Sequence, residues 1–242
     1  MQMESINSNN TLHLSGVLAE DPVFSHEVFG EKFYTTKIVV PRLSGTEDLL
    51  PITVSERLIE GDPLVTGSTI ALEGQLRSYN KMVDGTGHLL LTAFAQRLIP
   101  PESVENPNQV LLIGSLCKQP SYRTTPFGRE IADLMLAVNR SYGKSDYIPC
   151  ITWGRAARFA GRLNVGEKVT LLGRFQSRPY QKQLPDGTSI TKTAYEVSVS
   201  RISLTDAQPV QPPQPVQFVY HPEETQVSQP VQVNPFGRND EE

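Results

Sequence analysis

The sequence predicts an all-β protein made of two small barrels in tandem, followed by a tail that cannot form a core. Three observations support this: a repeat of about 90 residues, short strand patterns punctuated by glycine and proline, and a change of composition near residue 206. A fixed-period repeat sets the domain count, so we expect two domains of one fold. Twelve positions recur 98 residues later without a gap: Asn10, Gly16, Leu18, Pro22, Phe29, Gly30, Val40, Arg42, Gly45, Asp48, Pro51 and Arg57 as Asn108, Gly114, Leu116, Pro120, Phe127, Gly128, Val138, Arg140, Gly143, Asp146, Pro149 and Arg155.

The second copy shows the order of elements most clearly. Apolar or alternating runs predict five strands, at Val110–Leu116, Ile131–Asn139, Tyr147–Trp153, Lys168–Ser177 and Ala194–Val199. Between the third and fourth strands, apolar residues recur at helical spacing over Arg155–Leu163. Leu184-Pro185-Asp186-Gly187 is a turn signal between the last two strands. Five strands with a short helix between strands 3 and 4 are the layout of the OB-fold, a five-stranded Greek-key barrel.

The first copy follows the same order. Its predicted strands are Leu12–Leu18, Thr36–Val40, Pro51–Val54, Thr69–Leu76 and His88–Leu98. The helix predicted over Glu56–Leu64 is the weakest element, because Gly61 and Pro63 interrupt it. We therefore expect two tandem OB-folds.

The domain boundaries follow from the repeat and from composition. Residues 10–98 are predicted to form the first OB-fold, 99–107 a short proline-containing linker, and 108–205 the second OB-fold. Residues 206–242 contain Gln-Pro-Val-Gln three times and end in acidic residues. Such a segment buries too little apolar surface to fold alone, which predicts a disordered Gln/Pro/Val-rich tail.

Charge is distributed unevenly along the chain, whose formal net charge is −4. Residues 108–205 contain 14 Lys and Arg against 6 Asp and Glu, a net charge of +8. Residues 10–98 carry a net −4, and the tail a net −5. A polyanionic partner is therefore expected for the second copy, although the whole chain is acidic.

Targeting signals and cysteines suggest the compartment. No apolar run approaches the roughly 18–20 residues of a membrane span, and the first ten residues lack the apolar core of a signal peptide. We expect a cytoplasmic protein without a membrane partner. A disulfide between Cys117 and Cys150, the only cysteines, is possible, but two such thiols are more often free and reduced.

Aromatic and basic residues interleave in the second copy. The aromatic candidates are Tyr142 in the loop after strand two, Tyr147 and Trp153 on strand three, and Tyr180 in the loop between strands four and five. The basic candidates are Lys118, Arg123, Arg129, Arg140, Arg155, Arg174, Arg178 and Lys182. Unpaired bases stack on aromatic rings at roughly 1–3 kcal/mol each, while cations follow the phosphates. The mixture predicts a surface for single-stranded nucleic acid.

The alternative is that these aromatic residues are ordinary barrel core, and the repeat tests it. Tyr142, Tyr147 and Trp153 align with Ser44, Leu49 and Ser55. A core position would resist exchange of Trp for Ser, because the cavity would cost several kcal/mol. Lys118, Arg123 and Arg129 likewise align with Glu20, Ser25 and Glu31. We therefore expect surface positions, with a degenerate binding surface on the first copy.

Four stretches of the second copy resemble the bacterial single-stranded DNA-binding protein (SSB) family: Asn108-Gln-Val-Leu-Leu-Ile-Gly, Leu136-Ala-Val-Asn-Arg, Asp146-Tyr-Ile-Pro-Cys-Ile-Thr-Trp-Gly-Arg-Ala-Ala and Gly173-Arg-Phe-Gln-Ser-Arg-Pro-Tyr. The resemblance implies a nucleoid-associated protein that binds and protects single-stranded DNA in replication, recombination or repair, without strong sequence preference. It implies that Tyr142, Tyr147, Trp153 and Tyr180 stack on bases, with Arg123 as a basic contact. In the first copy, Tyr79 lies two residues before the position that matches Tyr180.

The resemblance also implies an assembly and a docking tail. Members with two OB-folds per chain form homodimers, giving four OB-folds. The family tail ends in an acidic tip closed by Pro-Phe, which docks replication and repair proteins. Here Pro235 and Phe236 precede Asp240, Glu241 and Glu242 instead of following them. These five residues are the candidate partner-docking site.

No enzyme motif stands out, so we expect neither catalysis nor a cofactor nor a metal. The four histidines are scattered, and no Cys/His spacing suits zinc. Two other functions remain open. The chain could be an assembly or adaptor protein of a replication-restart complex, whose OB-folds mainly bind proteins. It could also prefer single-stranded RNA, because stacking and cations serve both polymers.

Overall fold

The computed structural model describes residues 9–61, 63–83, 86–103, 106–140, 143–183 and 187–205. The described chain is mostly β-strand, as predicted. The first half contains β1 Asn10–Leu18, β2 Val23–Val28, β3 Glu31–Pro41, β4 Glu47–Ser55, α1 Glu56–Ile59, β5 Thr69–Val83 and β6 Thr86–Ile99. A 3₁₀ turn at Pro101–Ser103 leads to β7 Asn108–Leu116, β8 Ser121–Thr124, β9 Glu130–Asn139, β10 Ser145–Trp153, α2 Gly154–Ala160, β11 Lys168–Gln183 and β12 Ser189–Leu204.

The strands form two OB barrels that share one continuous sheet. The strand order is β2-β3-β4-β6-β5-β1-β7-β11-β12-β10-β9-β8, and the additional pairings β1–β3 and β7–β9 close the barrels. We call β1–β6 the first barrel and β7–β12 the second barrel. The face of a strand that points away from its barrel core is called the outer face. The predicted tandem OB-folds are confirmed.

Each barrel contains one strand more than predicted, because β2 and β8 were not anticipated. Every residue of both strands is exposed. They therefore lack the alternation of apolar and polar residues by which a half-buried strand is recognised. Each pairs only with the first half of the following strand, so β2–β3 and β8–β9 form hairpins that project from the barrels.

The last two strands of each barrel are longer than predicted. β11 continues to Gln183 and pairs with β12 from Ser189 onward, so Tyr180 lies within a strand and opposite Lys192. The placement of Tyr180 in a loop was therefore wrong. Cross-strand pairing maintains this polar stretch as a strand although it has no core side. Residues 184–186 of the predicted turn lie outside the described residues.

The barrel cores contain the alternating apolar residues of the strands. Leu14, Ile38, Leu50 and Leu72 are completely buried in the first barrel, and among the described residues Phe175 is the largest completely buried side chain. Tyr195, Val197 and Val199 point inward from β12, as their alternation predicts. Burial of such side chains contributes about 1.5–3 kcal/mol each.

Both helices are shorter than predicted. α1 ends at Ile59, well before Leu64, because Gly61 and Pro63 disfavour further turns. α2 spans Gly154–Ala160, and Gly161 forms its C-cap. Ala157 and Ala160 are its buried residues, and they seat the helix against the barrel.

The two barrels meet with internal twofold symmetry. β1 pairs antiparallel with β7, and Asn10 lies opposite Leu112 while Leu14 lies opposite Asn108. These two pairs are related by the repeat offset of 98 residues. The β1–β7 pair is therefore an isologous contact between the two copies, formed within one chain.

Two buried carboxylates, Asp48 and Asp146, hold the two barrels together. We call the contacts of these carboxylates and the β1–β7 strand pair the seam. Asp146 of the second barrel accepts hydrogen bonds from the backbone N of Ser78 at 2.6 Å, from Arg77 Nη1 at 3.1 Å and from Arg140 Nε at 2.6 Å. Arg140 Nη2 also donates to the Ser78 carbonyl at 2.9 Å. Asp146 is fully buried, and groups from both barrels neutralise its charge.

Asp48 of the first barrel makes the equivalent cluster. It accepts from the backbone N of Ser177 at 2.7 Å, from Arg42 Nε at 2.7 Å and from Arg174 Nη1 at 3.2 Å. Arg42 Nη2 donates to the Ser177 carbonyl at 2.9 Å. The seam is thus held at two symmetry-related points.

Within the described ranges, no helix has the length and apolar character needed to cross a membrane. Cys117 and Cys150 are free thiols, as expected. Cys150 is buried, and burial raises the pKa of its thiol.

Candidate nucleic-acid interface

Two of the predicted aromatic residues lie on the outer face of β10. Tyr147 is 48% exposed and Trp153 is 41% exposed, whereas Ile148 and Cys150 between them point into the core. The alternation of a strand places odd-numbered residues of β10 on one face. The two rings therefore share an outer face, and neither is a core residue.

Tyr180 stands on the projecting hairpin of β11 and β12. It is 39% exposed and lies directly opposite Lys192, with Lys182 two residues further along the same face of β11. In OB-folds, the loops after the first and fourth strands flank the ligand-binding face. Tyr180 is therefore positioned on an arm beside the face that carries Tyr147 and Trp153.

Trp153 occupies a position that usually favours another residue type. It is the N-cap of α2, with an extended backbone and no side-chain hydrogen bond to the helix. In the first barrel the same position is Ser55, which accepts a hydrogen bond from the backbone N of Arg57 at 3.3 Å and caps α1. Replacing a Ser cap typically costs about 1 kcal/mol. The second barrel thus forgoes a helix cap in favour of an exposed indole.

Some predicted site residues cannot be placed. Tyr142 lies outside the described residues. So do all five candidate partner-docking residues of the tail: Pro235, Phe236, Asp240, Glu241 and Glu242.

Two of the predicted arginines lie beside the aromatic face and are held by carboxylates. Arg123 on β8 pairs with Asp133 on β9, and both side chains are well exposed. Arg178 on β11 donates from Nε to Glu196 on β12 at 2.9 Å, and this hydrogen bond is the main cause that raises the pKa of Arg178. Exposed pairs contribute at most about 1 kcal/mol, so a phosphate could compete for Arg123.

Arg140 and Arg174 have a different environment from the one predicted. Both bind the buried seam carboxylates, Arg140 holding Asp146 and Arg174 holding Asp48. Burial lowers the pKa of Arg174, and the nearby charge of Arg42 lowers it further. Their charges are already balanced, so these two residues fasten the barrels together. For Arg140 a sequence signal was present, because Arg42 and Asp48 recur as Arg140 and Asp146.

The other predicted basic residues lie at the surface. Lys118, Arg155 and Lys182 are exposed. Arg129 ends the β8–β9 turn, where its backbone N donates to Thr125 Oγ1 at 3.0 Å. Nowhere in the described part of the chain do three His, Cys, Asp or Glu side chains come together as a metal site would require.

The first barrel carries aromatic residues that the comparison of the repeats missed. The rings of His26 and Phe33 stack with centroids 5.1 Å apart and planes 14° apart. Phe33 also contacts Phe94, with centroids 5.7 Å apart, and the Arg77 guanidinium lies 5.9 Å from the Phe94 centroid. We call His26, Phe33 and Phe94 the first-barrel aromatic cluster. The residue-by-residue alignment did not reveal it, because its members align with non-aromatic residues.

Fold and site together define a class: an OB-barrel binding protein with exposed aromatic side chains on one outer face. Residues 107–205 match the model of the single-strand binding protein family. Single-stranded DNA-binding protein B of Bacillus subtilis is 34% identical over 109 residues, covering 42% of this chain and 93% of that protein. The chain therefore belongs to the single-strand binding protein family. This confirms the expectation of a binding protein rather than an enzyme.

Other relatives and one solved structure agree. Single-stranded DNA-binding protein A of Bacillus subtilis is 36% identical over 96 residues, or 37% of this chain and 56% of that protein. Single-stranded DNA-binding protein 1 of Staphylococcus aureus is 40% identical over 83 residues, or 31% of this chain and 50% of that protein. The chain thus spans about half the length of these two relatives. The single-stranded DNA binding protein from Thermus aquaticus superposes with a TM-score of 0.65 over 84% of this chain and 96% of that chain; at 23% identity this likeness concerns the fold.

Proposed function

We propose that this chain binds single-stranded DNA, and protects it during replication, recombination or repair, without strong sequence preference and without catalysis. The observation that carries the proposal is the shared outer face of Tyr147 and Trp153 beside the arm with Tyr180. Exposed rings on one face provide stacking surfaces for successive unpaired bases. The names of the relatives support DNA as the polymer.

Phosphate contacts in this proposal come from cations at the rim of the second barrel. The exposed residues Lys118, Arg155 and Lys182 are suited to this, together with Arg123, Arg129 and Arg178. Arg140 and Arg174 are excluded, because they neutralise the buried seam carboxylates. Tyr142 remains a stacking residue by resemblance alone. The net charge of +8 over residues 108–205 favours a polyanion at this barrel.

The test uses the variant that the chain itself supplies, Trp153→Ser. The change installs the residue found at the same place in the first barrel. We expect the affinity for oligo-dT to fall roughly tenfold to a hundredfold, because one stacking partner is lost. Stability should change by less than about 1 kcal/mol, because the gained helix cap roughly offsets the lost packing of a half-exposed ring. Fluorescence anisotropy of labelled DNA gives the affinity, and thermal unfolding gives the stability.

Two controls complete this experiment. Phe29→Ser removes a fully exposed ring at a hairpin tip of the first barrel and should leave oligo-dT affinity unchanged. In the unsubstituted chain, the fluorescence of Trp153, the only tryptophan, should fall on saturation with oligo-dT. Full affinity of Trp153→Ser, or displacement of oligo-dT by oligo-U at far lower concentration, would contradict the proposal.

We also propose the domain roles, assembly and location that follow from family membership. Residues 10–98 and 108–205 are the two OB-fold domains, joined by 99–107, and the second is the main DNA-binding domain. Two chains form a homodimer with four barrels, which the mass of the free protein in solution tests. A DNA-binding protein of this kind works in the cytoplasm at the nucleoid, and microscopy of a fluorescently tagged chain tests this location. The tail docks replication and repair proteins, which a pull-down with and without residues 206–242 tests.

A further inference from the structure

The two barrels place an aromatic ring at the same point of their outer faces, but from neighbouring strands. In the second barrel, Trp153 on β10 lies directly opposite Ile131 on β9. In the first barrel, Ser55 on β4 lies directly opposite Phe33 on β3. The repeat offset relates Ser55 to Trp153 and Phe33 to Ile131. Directly opposite residues of antiparallel strands point to the same face. The aromatic residue of this cross-strand pair therefore lies on β10 in the second barrel, but on β3, the equivalent of β9, in the first barrel.

A hairpin residue flanks this point in both barrels, although the repeat does not align the two residues. Arg123 pairs with Ile131 on the β8–β9 hairpin, and His26 pairs with Phe33 on the β2–β3 hairpin. A group able to bind a phosphate or stack on a base therefore flanks the aromatic point in both barrels. Phe94 on β6 extends the first-barrel aromatic cluster by a further ring. On β4 the equivalent position is occupied by Ser55, whose side chain caps α1.

We infer that the first-barrel aromatic cluster is a second stacking surface for single-stranded DNA, built from positions that the family motif does not use. This inference rests on the proposed function of the second barrel. The first barrel, for which the repeat predicted a degenerate binding surface, thereby contributes base contacts through His26, Phe33 and Phe94.

The cluster connects to the second barrel across the seam. Arg77, which lies over the Phe94 ring, also binds Asp146 at 3.1 Å. The backbone N of Tyr147, the residue after Asp146, donates to Ser78 Oγ at 2.7 Å. Tyr79 follows Ser78 and is 48% exposed. A bound DNA strand that continues from Tyr147 onto the first barrel is therefore expected to reach Tyr79 first and the aromatic cluster after it.

Ion pairs neutralise part of the acidic charge of the first barrel. Three of its carboxylates are paired with cations: Glu31 with Arg57 at 2.9 Å, Glu20 with Lys37 at 3.2 Å and Glu56 with Lys32 at 3.3 Å. The interaction expected here is stacking, which tolerates any base and needs no phosphate contact. This contrasts with the second barrel, where cations carry part of the binding.

The first test compares DNA lengths in the full chain. An oligo-dT of about 8 nucleotides fits one OB-fold, whereas one of about 30 nucleotides reaches beyond it. In Phe33→Leu/Phe94→Leu, leucine keeps most of the apolar packing but removes the flat faces. We expect the affinity for the long oligonucleotide to fall about tenfold and that for the short one to stay unchanged. Phe29→Leu, on the same barrel but outside the cluster, should bind both as the unsubstituted chain does.

The second test places a reporter in the cluster. In Phe33→Trp/Trp153→Phe, the only indole lies on the first barrel, and its fluorescence should fall when the long oligonucleotide is added. The inference is overturned if this signal stays constant and Phe33→Leu/Phe94→Leu binds the long DNA normally. Trp153→Ser separates this from a failure of the proposed function, because its loss of affinity for the short oligonucleotide depends on the second barrel alone.

Discussion

At the scale of single residues, two buried carboxylates join the halves of the chain. Asp48 and Asp146 are the fully buried acids of the described barrels, and each accepts from an arginine of its own barrel and an arginine of the other. A buried pair contributes little compared with an apolar contact of the same shape, but removing one partner leaves an unbalanced charge and is strongly destabilising. We therefore expect these acids to specify how the barrels meet.

Asp146→Asn tests this role. The change leaves Arg77 and Arg140 close together without the carboxylate that neutralises them. We expect the free energy of unfolding to fall by about 3–5 kcal/mol, measured by urea denaturation.

Asp133→Asn is the matched control, because it also removes a carboxylate partner of an arginine on the second barrel. The Asp133–Arg123 pair is exposed, so this change should cost no more than about 1 kcal/mol. Equal losses in the two variants would show that the seam carboxylate has no special role.

At the scale of elements, the barrels close where β1 crosses β3 and where β7 crosses β9. Both crossings need a residue without a side chain. A Cβ on Gly16 would lie 2.2 Å from the Val39 carbonyl oxygen, and one on Gly114 would lie 2.5 Å from that of Ala137. The glycines at these two positions recur in the repeat because the closure of each barrel depends on them.

Gly114→Ala should therefore destabilise the second barrel. The added methyl group meets backbone, which cannot turn aside as a flexible side chain can. We expect a loss of about 2 kcal/mol or more in the free energy of unfolding, measured by thermal or urea denaturation.

Gly61→Ala is the comparison for this variant. A Cβ there meets nothing within 4 Å, and the backbone needs no positive φ. Its stability should stay within about 0.5 kcal/mol of the unsubstituted chain, or rise slightly. A similar loss at both glycines would show that the crossing is less tight than the structure indicates.

The elements also show what sequence can and cannot reveal. Strands with one buried face were predictable, because alternation records the core. β2, β8 and the outer part of β11 have no buried face, so only their hydrogen-bonding partners define them. Trp153 was recognisable because a motif surrounds it. Phe33 was not recognisable, because its ring lies on the strand next to the one that carries Trp153 in the second barrel. A residue-by-residue alignment compares Phe33 with Ile131 instead.

At the scale of the whole molecule, one chain is organised as a symmetric pair. The β1–β7 register, the acids Asp48 and Asp146 and their own-barrel arginines Arg42 and Arg140 are related by the offset of 98 residues, and the serines that donate to the two acids by an offset of 99. Arg140 and Arg174 were predicted for nucleic acid and lie at this seam instead. Contacts between residues so distant in sequence are set by how the domains meet, which local patterns do not encode.

The proposed homodimer can be tested at this scale. Light scattering of the free protein should give twice the mass of one chain, independent of concentration in the micromolar range. Symmetric closed dimers are the commonest assembly of soluble proteins, and the family resemblance implies four barrels. Addition of oligo-dT should raise the mass only by that of the bound DNA. A mass equal to one chain at these concentrations would exclude the four-barrel assembly.

The seam has a consequence for the direction of a bound polymer. A twofold axis reverses any path that crosses it, and a nucleic-acid strand has two chemically different ends. A strand running straight over both barrels would meet the second outer face in the opposite sense from the first. Two identical copies of a directional site would then be in conflict, since only one could read the strand in its preferred polarity. In the first barrel the ring lies on β3 and not on β4. A DNA strand that crosses this barrel in the opposite polarity therefore meets a different site, and the constraint on two identical sites does not apply.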